Sequence, residues 1–351
     1  MKSYKDYKTS RAIVMERPRE VAVREIELTE PHEDAYICQT YYNSISSGTD
    51  MKTYFGMQHP EQCYYPLVFG YETMGKIVAV GPKADPKLKV GDRVMINECR
   101  KFGNVCSAWG GSSEFTVKDS QTATSCFDYM VKVPDNVSDT DAVLAYLACV
   151  ALKGVRRLND LSVKQTIVVV GAGMVGISAM QLLKIKNPEI TVIAIDRNAF
   201  RRSIAANYVD YVFSPEEAVE GIKKVTNGKM ADQLIEASGN PEVVGTLHKY
   251  IKEGGWDYKE PRAHIHLQGD YYEKIIFDHY HRWFVKNPDI SITCALEPYC
   301  KEEILQYMSE GKFDTSKLPV EIWPVSKAPE AFKYKAEKGD DVFKIIFDWS
   351  K

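Results

Sequence analysis

The clearest chemical signal in the sequence is the glycine-rich run Gly171-Ala172-Gly173-Met174-Val175-Gly176, which has the spacing G-x-G-x-x-G. It follows an apolar run and opens a helical pattern, and Asp196 stands 20 positions after the last glycine. In this context the first glycine allows a tight turn and the second a close approach of the backbone to a pyrophosphate. The third allows close packing of helix on strand, and the helix N-terminus offers N–H groups to phosphate. The run therefore predicts a dinucleotide site.

The residues expected to bind the dinucleotide lie in this run and at the end of the next strand. They are Gly171, Gly173, Met174, Val175, Gly176, Asp196, Arg197 and Arg201. The Asp196 carboxylate can accept hydrogen bonds from both ribose hydroxyls and would repel a 2′-phosphate, so it favours NAD over NADP. Arg197, Arg201 and Arg202 leave an alternative open, because they could bind a 2′-phosphate. On the other interpretation they are solvated charges at the start of a helix.

Alternating strands and helices must position these residues. From about residue 165 the pattern is typical of an α/β fold with a doubly wound parallel sheet. The predicted strands are residues 166–170, 191–195, 211–213 and 233–237, and the predicted helices are residues 175–186, 199–208 and 214–225. Residues 11–133 differ from this pattern, because their sequence predicts short β-rich segments between turns. A helical pattern follows over residues 139–158.

Composition excludes several classes of partner. The chain has 351 residues, with 45 Lys and Arg against 48 Asp and Glu, so its net charge of −3 gives no electrostatic reason to expect nucleic acid or an anionic membrane. The sequence shows neither an apolar run of about 18 residues nor an N-terminal apolar signal, which predicts a cytoplasmic protein. Its 8 cysteines are scattered without C-x-x-C spacing and are expected to be reduced.

The β-rich segment carries a more specific pattern. Its motifs are Gly70-Tyr71-Glu72-Thr73-Met74-Gly75, Gly91-Asp92-Arg93-Val94 and Gly110-Gly111-Ser112-Ser113-Glu114-Phe115. With the glycine fingerprint, they resemble the medium-chain dehydrogenase/reductase superfamily and its zinc alcohol dehydrogenases. The resemblance implies a GroES-like catalytic domain over residues 1–155 and 296–351, with a Rossmann domain over residues 156–295 inserted in it. It also implies hydride transfer between a nicotinamide cofactor and a small molecule, and a homodimer.

The sequence departs from that family where zinc would bind. The resemblance puts Ser47 where the first ligand Cys would be and Tyr71 where the ligand His would be, leaving Cys149. A Ser hydroxyl and a Tyr phenol are not usual zinc ligands, and a catalytic site needs about three protein ligands. The four-Cys structural lobe is reduced to Cys99 and Cys106. We therefore predict a protein without zinc, in which Cys149 is a small core residue.

Without a metal, side-chain donors must stabilise the developing alkoxide. The candidate catalytic residues are Thr49, Tyr71, Lys153 and Ser47. Tyr71 can donate a hydrogen bond to the substrate oxygen, and Thr49 matches the hydroxyl relay of the family. Lys153 could lie near the nicotinamide, where its cation would stabilise an alkoxide. The alternatives are that Tyr71 only fills the former metal site and that Lys153 is a solvated lysine.

Short stretches resemble the bacteriochlorophyllide hydroxyethyl dehydrogenase branch of the superfamily, which oxidises a secondary alcohol to a ketone. These stretches are residues 44–50, 65–72 and 344–349. The prediction is a zinc-independent, NAD-dependent dehydrogenase that interconverts a secondary alcohol and a ketone of a biosynthetic intermediate. The alternatives are a zinc-free enoyl or quinone reductase using NADPH, and a dinucleotide-binding protein without catalysis.

Several histidines and aromatic residues have no role in this scheme. His59 could border the substrate pocket or lie in an exposed loop, and the pair His264 and His266 is expected at the surface. An aromatic, His-rich stretch follows Gly269, and it could form a pocket wall or a subunit interface. Its members are Tyr271, Tyr272, His279, Tyr280, His281, Trp283 and Phe284.

Overall fold

The computed structural model describes residues 2–58, 63–99, 101–123, 126, 128–257, 259–271 and 273–351. The chain forms two compact units. The first comprises residues 1–146, 301–310 and 319–351, and the second comprises residues 147–300 and 311–318. Residues 147–155, 296–300 and 311–318 thus belong to the second unit, whereas the sequence assigns them to the first domain. His59 lies outside the described residues, as does Tyr272.

The strands of both units are numbered in chain order, and those of the first unit come both before and after those of the second. They are β1 (Thr9–Arg17), β2 (Glu20–Glu27), β3 (Tyr36–Ser44), β4 (Leu67–Phe69), β5 (Thr73–Val80), β6 (Arg93–Met95), β7 (Cys106–Ala108), β8 (Phe115–Lys118), β9 (Val131–Lys132), β10 (Thr166–Val170), β11 (Thr191–Ile195), β12 (Tyr211–Phe213), β13 (Gln233–Glu236), β14 (His264–Leu267), β15 (Asp289–Ile292), β16 (Val320–Pro324) and β17 (Lys344–Asp348).

The α-helices lie between these strands in both units. They are α1 (Thr49–Tyr54), α2 (Asp139–Val155), α3 (Met174–Lys186), α4 (Ala199–Ala205), α5 (Pro215–Val225), α6 (Pro241–Val244), α7 (Tyr280–Lys286), α8 (Cys300–Ser309) and α9 (Ala328–Lys338). Of the helices in the described ranges, none combines the length and the apolar character that crossing a bilayer would require.

Two sheets make up the first unit. One has the strand order β2-β1-β4-β7, and the other has the order β16-β17-β3-β5-β6-β9, with β8 also paired to β3. Side chains from β1, β4, α9 and β17 share one core, in which the rings of Phe69 and Phe332 meet edge to face with centroids 5.0 Å apart. The last strand of the chain, β17, completes this unit. It pairs with β3 from the N-terminal part of the chain and lies parallel to β16.

The second unit is built on a six-stranded parallel sheet with the order β12-β11-β10-β13-β14-β15. Its central strand β10 reads Thr-Ile-Val-Val-Val and is almost wholly buried, as expected for β-branched residues in a parallel strand covered on both faces. The chain leaves β10 for β11 on one side and returns to β13 on the other. This reversal creates a switch point at the carboxyl ends of β10 and β13, where doubly wound folds bind ligands. The predicted α/β class is confirmed.

Candidate active site and its relatives

The glycine fingerprint forms the turn between β10 and α3. Gly171 has φ +95°, and a Cβ there would lie 2.6 Å from the backbone nitrogen of Ser238, so only glycine fits. A Cβ on Gly176 would lie 1.9 Å from the carbonyl oxygen of Gly171, so the third glycine is needed for helix α3 to approach the strand. Around Gly173, however, a Cβ would meet no atom of the described chain within 4 Å. Open space therefore remains where the sequence predicts the pyrophosphate.

The first turn of α3 suits an anion. Gly173 is the extended N-cap residue, and its lack of a side chain leaves the helix end uncapped. Met174 and Val175 follow as the first helical residues, and the first turn contains no acidic residue. N–H groups of a first turn have no partner within the helix and carry its positive dipole end. These residues therefore fit the phosphates of a dinucleotide.

Asp196 follows β11, beside the fingerprint. One carboxylate oxygen accepts a hydrogen bond from the backbone N–H of Ala172 at 2.7 Å, and the other accepts one from the N–H of Asn198 at 2.8 Å. These contacts fix the side-chain rotamer. Each carboxylate oxygen has further acceptor capacity, which two ribose hydroxyls can use.

The arginines after Asp196 differ in their surroundings. Arg197 is exposed, but Arg201 is only 5% exposed, so the interpretation of Arg201 as a solvated charge is wrong. It lies in the first turns of α4, whose inner face packs on the sheet. The Arg202 guanidinium donates to the carbonyl oxygens of Asp196 and Arg197 at 2.9 and 2.8 Å. Arg202 thus binds the backbone at the end of β11.

A cluster of three hydroxyl groups lies in the first unit. The Tyr71 hydroxyl is 2.8 Å from Ser46 Oγ and 3.1 Å from Thr49 Oγ1. Because a phenol has one hydrogen, Tyr71 can donate to only one of them at a time and can accept from the other. Thr49 is the first residue of α1, and the Asn97 side chain holds the Tyr71 backbone by donating to its carbonyl at 2.9 Å.

Aromatic rings hold Tyr71 in place. The Tyr146 ring is tilted 31° against it with centroids 4.7 Å apart, and the Trp109 ring meets it nearly edge on at 5.9 Å. The Tyr146 hydroxyl donates to Glu98 Oε1 at 2.6 Å, away from the hydroxyl cluster. Burial, and then the nearby carboxyls of Asp50 and Glu72, raise the pKa of Tyr71 well above its ordinary value. Tyr71 therefore stays protonated at neutral pH and can act as a donor.

Two carboxyl groups support the cluster from within the unit. Asp50 accepts a hydrogen bond from the Ser46 N–H at 2.7 Å, which ties the loop before α1 to the helix. Burial raises the pKa of Asp50 to about 8. Glu72 instead forms an ion pair with Lys344, whose Nζ is 2.6 Å from both carboxylate oxygens, and each side chain is 1% exposed. The Lys344 Nζ also donates to the Ile45 carbonyl at 3.2 Å.

Known proteins resemble the chain over both units. The family model of the alcohol dehydrogenase GroES-like domain matches residues 38–135, and that of the zinc-binding dehydrogenase matches residues 174–256. The 2-desacetyl-2-hydroxyethyl bacteriochlorophyllide A dehydrogenase of Cereibacter sphaeroides is 26% identical over 345 residues, which cover 96% of this chain and 98% of that protein. The chain belongs to the medium-chain dehydrogenase/reductase superfamily.

Further similarities agree with this family. An uncharacterised zinc-type alcohol dehydrogenase-like protein of Haemophilus influenzae is 27% identical over 263 residues, covering 68% of this chain and 72% of that protein. The crystal structure of 2R,3R-butanediol dehydrogenase from Bacillus subtilis has the same fold, with a TM-score of 0.78 at 20% identity over 97% of this chain and 99% of that one. The protein is thus an alcohol-type, dinucleotide-binding oxidoreductase that acts on CH–OH groups of small molecules, as the sequence predicts.

In this dehydrogenase, the positions matching zinc ligands of the family hold a different donor set. Ser47 is exposed, and Tyr71 is engaged with Ser46 and Thr49. Cys149 is fully buried, as predicted for a core residue. Within the described ranges, the structure groups no three His, Cys, Asp or Glu side chains as metal ligands. Neutral serine and a high-pKa phenol are poor zinc donors, so these residues do not fit the zinc site of the family.

The surroundings of two candidate catalytic residues, Ser47 and Lys153, differ from those that the sequence predicts. No hydrogen bond involves the Ser47 side chain in the described part of the dehydrogenase, and its neighbour Ser46 is the serine that contacts Tyr71. Sequence reasoning missed Ser46, because two adjacent serines cannot be distinguished by residue type. The Lys153 Nζ donates to the carbonyl oxygens of Cys294 and Leu296 at 2.6 and 3.3 Å. Lys153 therefore binds the segment after β15, and the interpretation of it as a freely solvated lysine is wrong.

The pair of histidines on β14 is also placed differently. His264 and His266 point to one face of the strand, as the i,i+2 spacing requires, but they are buried, so their expected surface position is wrong. Both rings lie within 2.8 Å of Ser291 Oγ on β15. Burial lowers the pKa of His266 to about 4. These neutral histidines fasten β15 to the sheet.

Proposed function

We propose that the protein is a zinc-independent, NAD-dependent dehydrogenase that interconverts a secondary alcohol and a ketone of a biosynthetic intermediate. The observation that carries this proposal is the cluster of Tyr71, Ser46 and Thr49 in the region that matches the zinc ligands of the family. Burial disfavours the phenolate that a metal would need from Tyr71. The cluster is suited instead to donating and relaying a proton.

The NAD preference is supported by the surroundings of Asp196. Its carboxylate is held in one rotamer by two backbone N–H groups, ready to accept from ribose hydroxyls and to repel a 2′-phosphate. Arg202, a candidate to bind that phosphate, is instead bound to two backbone carbonyls. We expect NADH to bind more tightly than NADPH, and titration of the purified protein with both measures this. Tighter binding of NADPH would favour the enoyl or quinone reductase alternative.

Bound NAD would accept the hydride from the carbinol carbon. We propose that Tyr71 donates a hydrogen bond to the substrate oxygen while Ser46 and Thr49 donate to the Tyr71 oxygen. In ketone reduction Tyr71 gives its proton to the substrate oxygen and takes another from Thr49. In alcohol oxidation the proton moves in the reverse direction. Thr49 is half-buried, so it is the member of the trio suited to exchanging a proton with water.

The reaction class is supported by the relative from Cereibacter sphaeroides, which aligns over nearly the full length of both chains. The name of its substrate pairs a missing acetyl group with a hydroxyethyl group, and a hydroxyethyl group that is the reduced counterpart of an acetyl group is a secondary alcohol. This supports a secondary alcohol as the substrate class of the present enzyme. A panel of hydroxylated metabolites with secondary alcohols, tested for NAD reduction, is the direct measurement.

Tyr71→Phe tests the mechanism, because it removes only the hydroxyl. We expect the single-turnover rate of hydride transfer to fall by roughly 10²- to 10⁴-fold, the usual contribution of a general acid, with NADH affinity unchanged. Tyr65→Phe is a matched control, since the Tyr65 hydroxyl also donates within the first unit, to the Thr53 carbonyl. An unaltered rate in Tyr71→Phe would remove Tyr71 from the mechanism. Stoichiometric zinc in the purified, active protein would contradict zinc independence.

A homodimer is the proposed assembly. β15 is the terminal strand of the six-stranded sheet, and its Ile290 and Ile292 are 42% and 70% exposed. A terminal strand offers backbone hydrogen-bonding groups to a second copy, and these apolar side chains would be covered in such a pairing. Light scattering of the purified protein measures the mass, and a monomer at micromolar concentration would contradict the proposal.

A further inference from the structure

Glu236 is a fully buried carboxyl group at the carboxyl end of β13. Its Oε1 accepts hydrogen bonds from the Ser238 N–H at 2.8 Å and from the Ser238 hydroxyl. Its Oε2 accepts one from the hydroxyl of Tyr271, which lies beyond the next strand, β14. A buried carboxyl requires such donors. The Tyr271–Glu236 hydrogen bond therefore joins the segments that follow two neighbouring strands.

These segments touch each other and the glycine fingerprint. A Cβ on Gly269 would lie 2.7 Å from Cζ of Tyr271 and 3.0 Å from Cα of Gly239. On the other side, a Cβ on Gly171 would lie 2.6 Å from the Ser238 nitrogen. The turn over residues 237–239 therefore lies between the first fingerprint glycine and the Gly269–Tyr271 segment.

The sheet order indicates which part of the dinucleotide meets this region. Asp196 follows β11 and is suited to the adenosine ribose, and the fingerprint after β10 is suited to the pyrophosphate. On the other side of β10 lie β13 and then β14. A dinucleotide that extends from Asp196 across Gly173 therefore continues over the ends of β13 and β14 with its nicotinamide half.

We propose that the Tyr271–Glu236 hydrogen bond is a positioning contact that sets the turns after β13 and β14 for the nicotinamide half of NAD. The proposal rests on the dinucleotide site of the proposed function and adds to it a determinant of affinity. It gives a role to one residue of the aromatic stretch after Gly269, whose hydroxyl faces Glu236. Tyr271 acts through the turns, so it is not a catalytic residue.

Calorimetric titration with NADH and with ADP tests this role, because ADP has the adenosine and two phosphates but lacks the nicotinamide half. Tyr271→Phe removes the hydroxyl and keeps the ring against Gly269. The net contribution of a typical hydrogen bond corresponds to a roughly three- to tenfold loss of NADH affinity. The ADP affinity is expected to stay within about twofold of the wild type, since adenosine and phosphate contacts are untouched.

Two further variants keep the test specific. Tyr280→Phe removes the hydroxyl of a tyrosine that is 72% exposed in the same stretch, and it should bind both ligands like the wild type. Glu236→Gln keeps a hydrogen-bonding partner for Tyr271 and should lose less NADH affinity than Glu236→Ala. Unchanged NADH affinity in Tyr271→Phe, or equal losses for NADH and ADP, would overturn the proposal. A wild-type protein that binds NADH but oxidises no secondary alcohol would contradict the proposed reaction and leave this positioning role standing.

Discussion

The nucleotide turn of the second unit and the hydroxyl cluster of the first unit are built in opposite ways. At Gly171 and Gly176 the geometry depends on side chains that are absent, because any added carbon would collide with backbone atoms. In the hydroxyl cluster the geometry depends on side chains that are present, with Tyr71 held by Ser46, Thr49 and the Tyr146 ring. The first kind of site can be recognised from spacing. The second can be recognised only once packing is known.

The largest expected effect is in the first unit, at its buried ion pair. Lys344→Met leaves the Glu72 carboxylate buried without its counter-ion, which should lower the free energy of unfolding by about 3–5 kcal/mol. Chemical denaturation followed by circular dichroism measures this. The double variant Glu72→Gln/Lys344→Met removes both charges and should recover most of the loss. If the double variant is as unstable as Lys344→Met, the loss arises from packing and not from charge.

A smaller effect is expected at the fingerprint, where two glycines should respond differently. Gly176→Ala forces a methyl group against the Gly171 carbonyl, and such overpacking costs about 1–3 kcal/mol, so both thermal stability and NADH affinity should fall. Gly173→Ala adds its methyl to open space and should lower NADH affinity with the unfolding temperature unchanged. Fluorescence titration and calorimetry measure the two quantities. Equal NADH affinity in Gly173→Ala and the wild type would show that the pyrophosphate does not approach this turn.

The most gradual effect concerns pH and Asp50. The folded protein holds the Asp50 proton up to pH about 8, whereas the unfolded chain releases it near the ordinary pKa of about 4. Raising the pH through this window should therefore destabilise the fold, by about 1.4 kcal/mol per pH unit for one proton. Asp50→Asn keeps an acceptor for the Ser46 N–H and should remove this slope. Parallel slopes for the wild type and Asp50→Asn in urea denaturation between pH 5 and 8 would refute the prediction.

Much of the fold could be predicted from the sequence. The strands β11 and β12 have the predicted bounds, and α3 begins one residue before the predicted start. Within the β-rich range of residues 11–133, the sequence does not mark β4 or β7 as separate strands, because a strand of three residues is too short to show a periodicity. The edge strand β15 was missed, because its sequence Asp-Ile-Ser-Ile owes its pairing to β14 and not to its own burial.

The candidate site likewise contains residues that the sequence predicts and contacts that only the structure reveals. The fingerprint and Asp196 follow from a motif whose mechanical reasons are local, and the structure brings them together as expected. The contact between Ser46 and Tyr71 joins residues 25 positions apart, and the one between Tyr271 and Glu236 joins residues 35 apart. Such pairings depend on tertiary packing, which a single sequence does not reveal.

The position of β17 constrains how the protein is made on the ribosome. This strand lies between β16 and β3 in the larger sheet of the first unit, and Ile346 pairs with Ser44 about 300 positions earlier in the chain. The C-terminal end of β3, Tyr42–Ser44, must therefore lack its β17 partner while the entire second unit is translated, although β8 can already pair with Tyr36–Gln39 along the same edge. Synthesis at about 5–20 residues per second makes this an interval of tens of seconds. During that time the backbone N–H and C=O groups of β3 that later pair with β17 are exposed, and a chaperone that binds this segment would keep it from pairing with another chain.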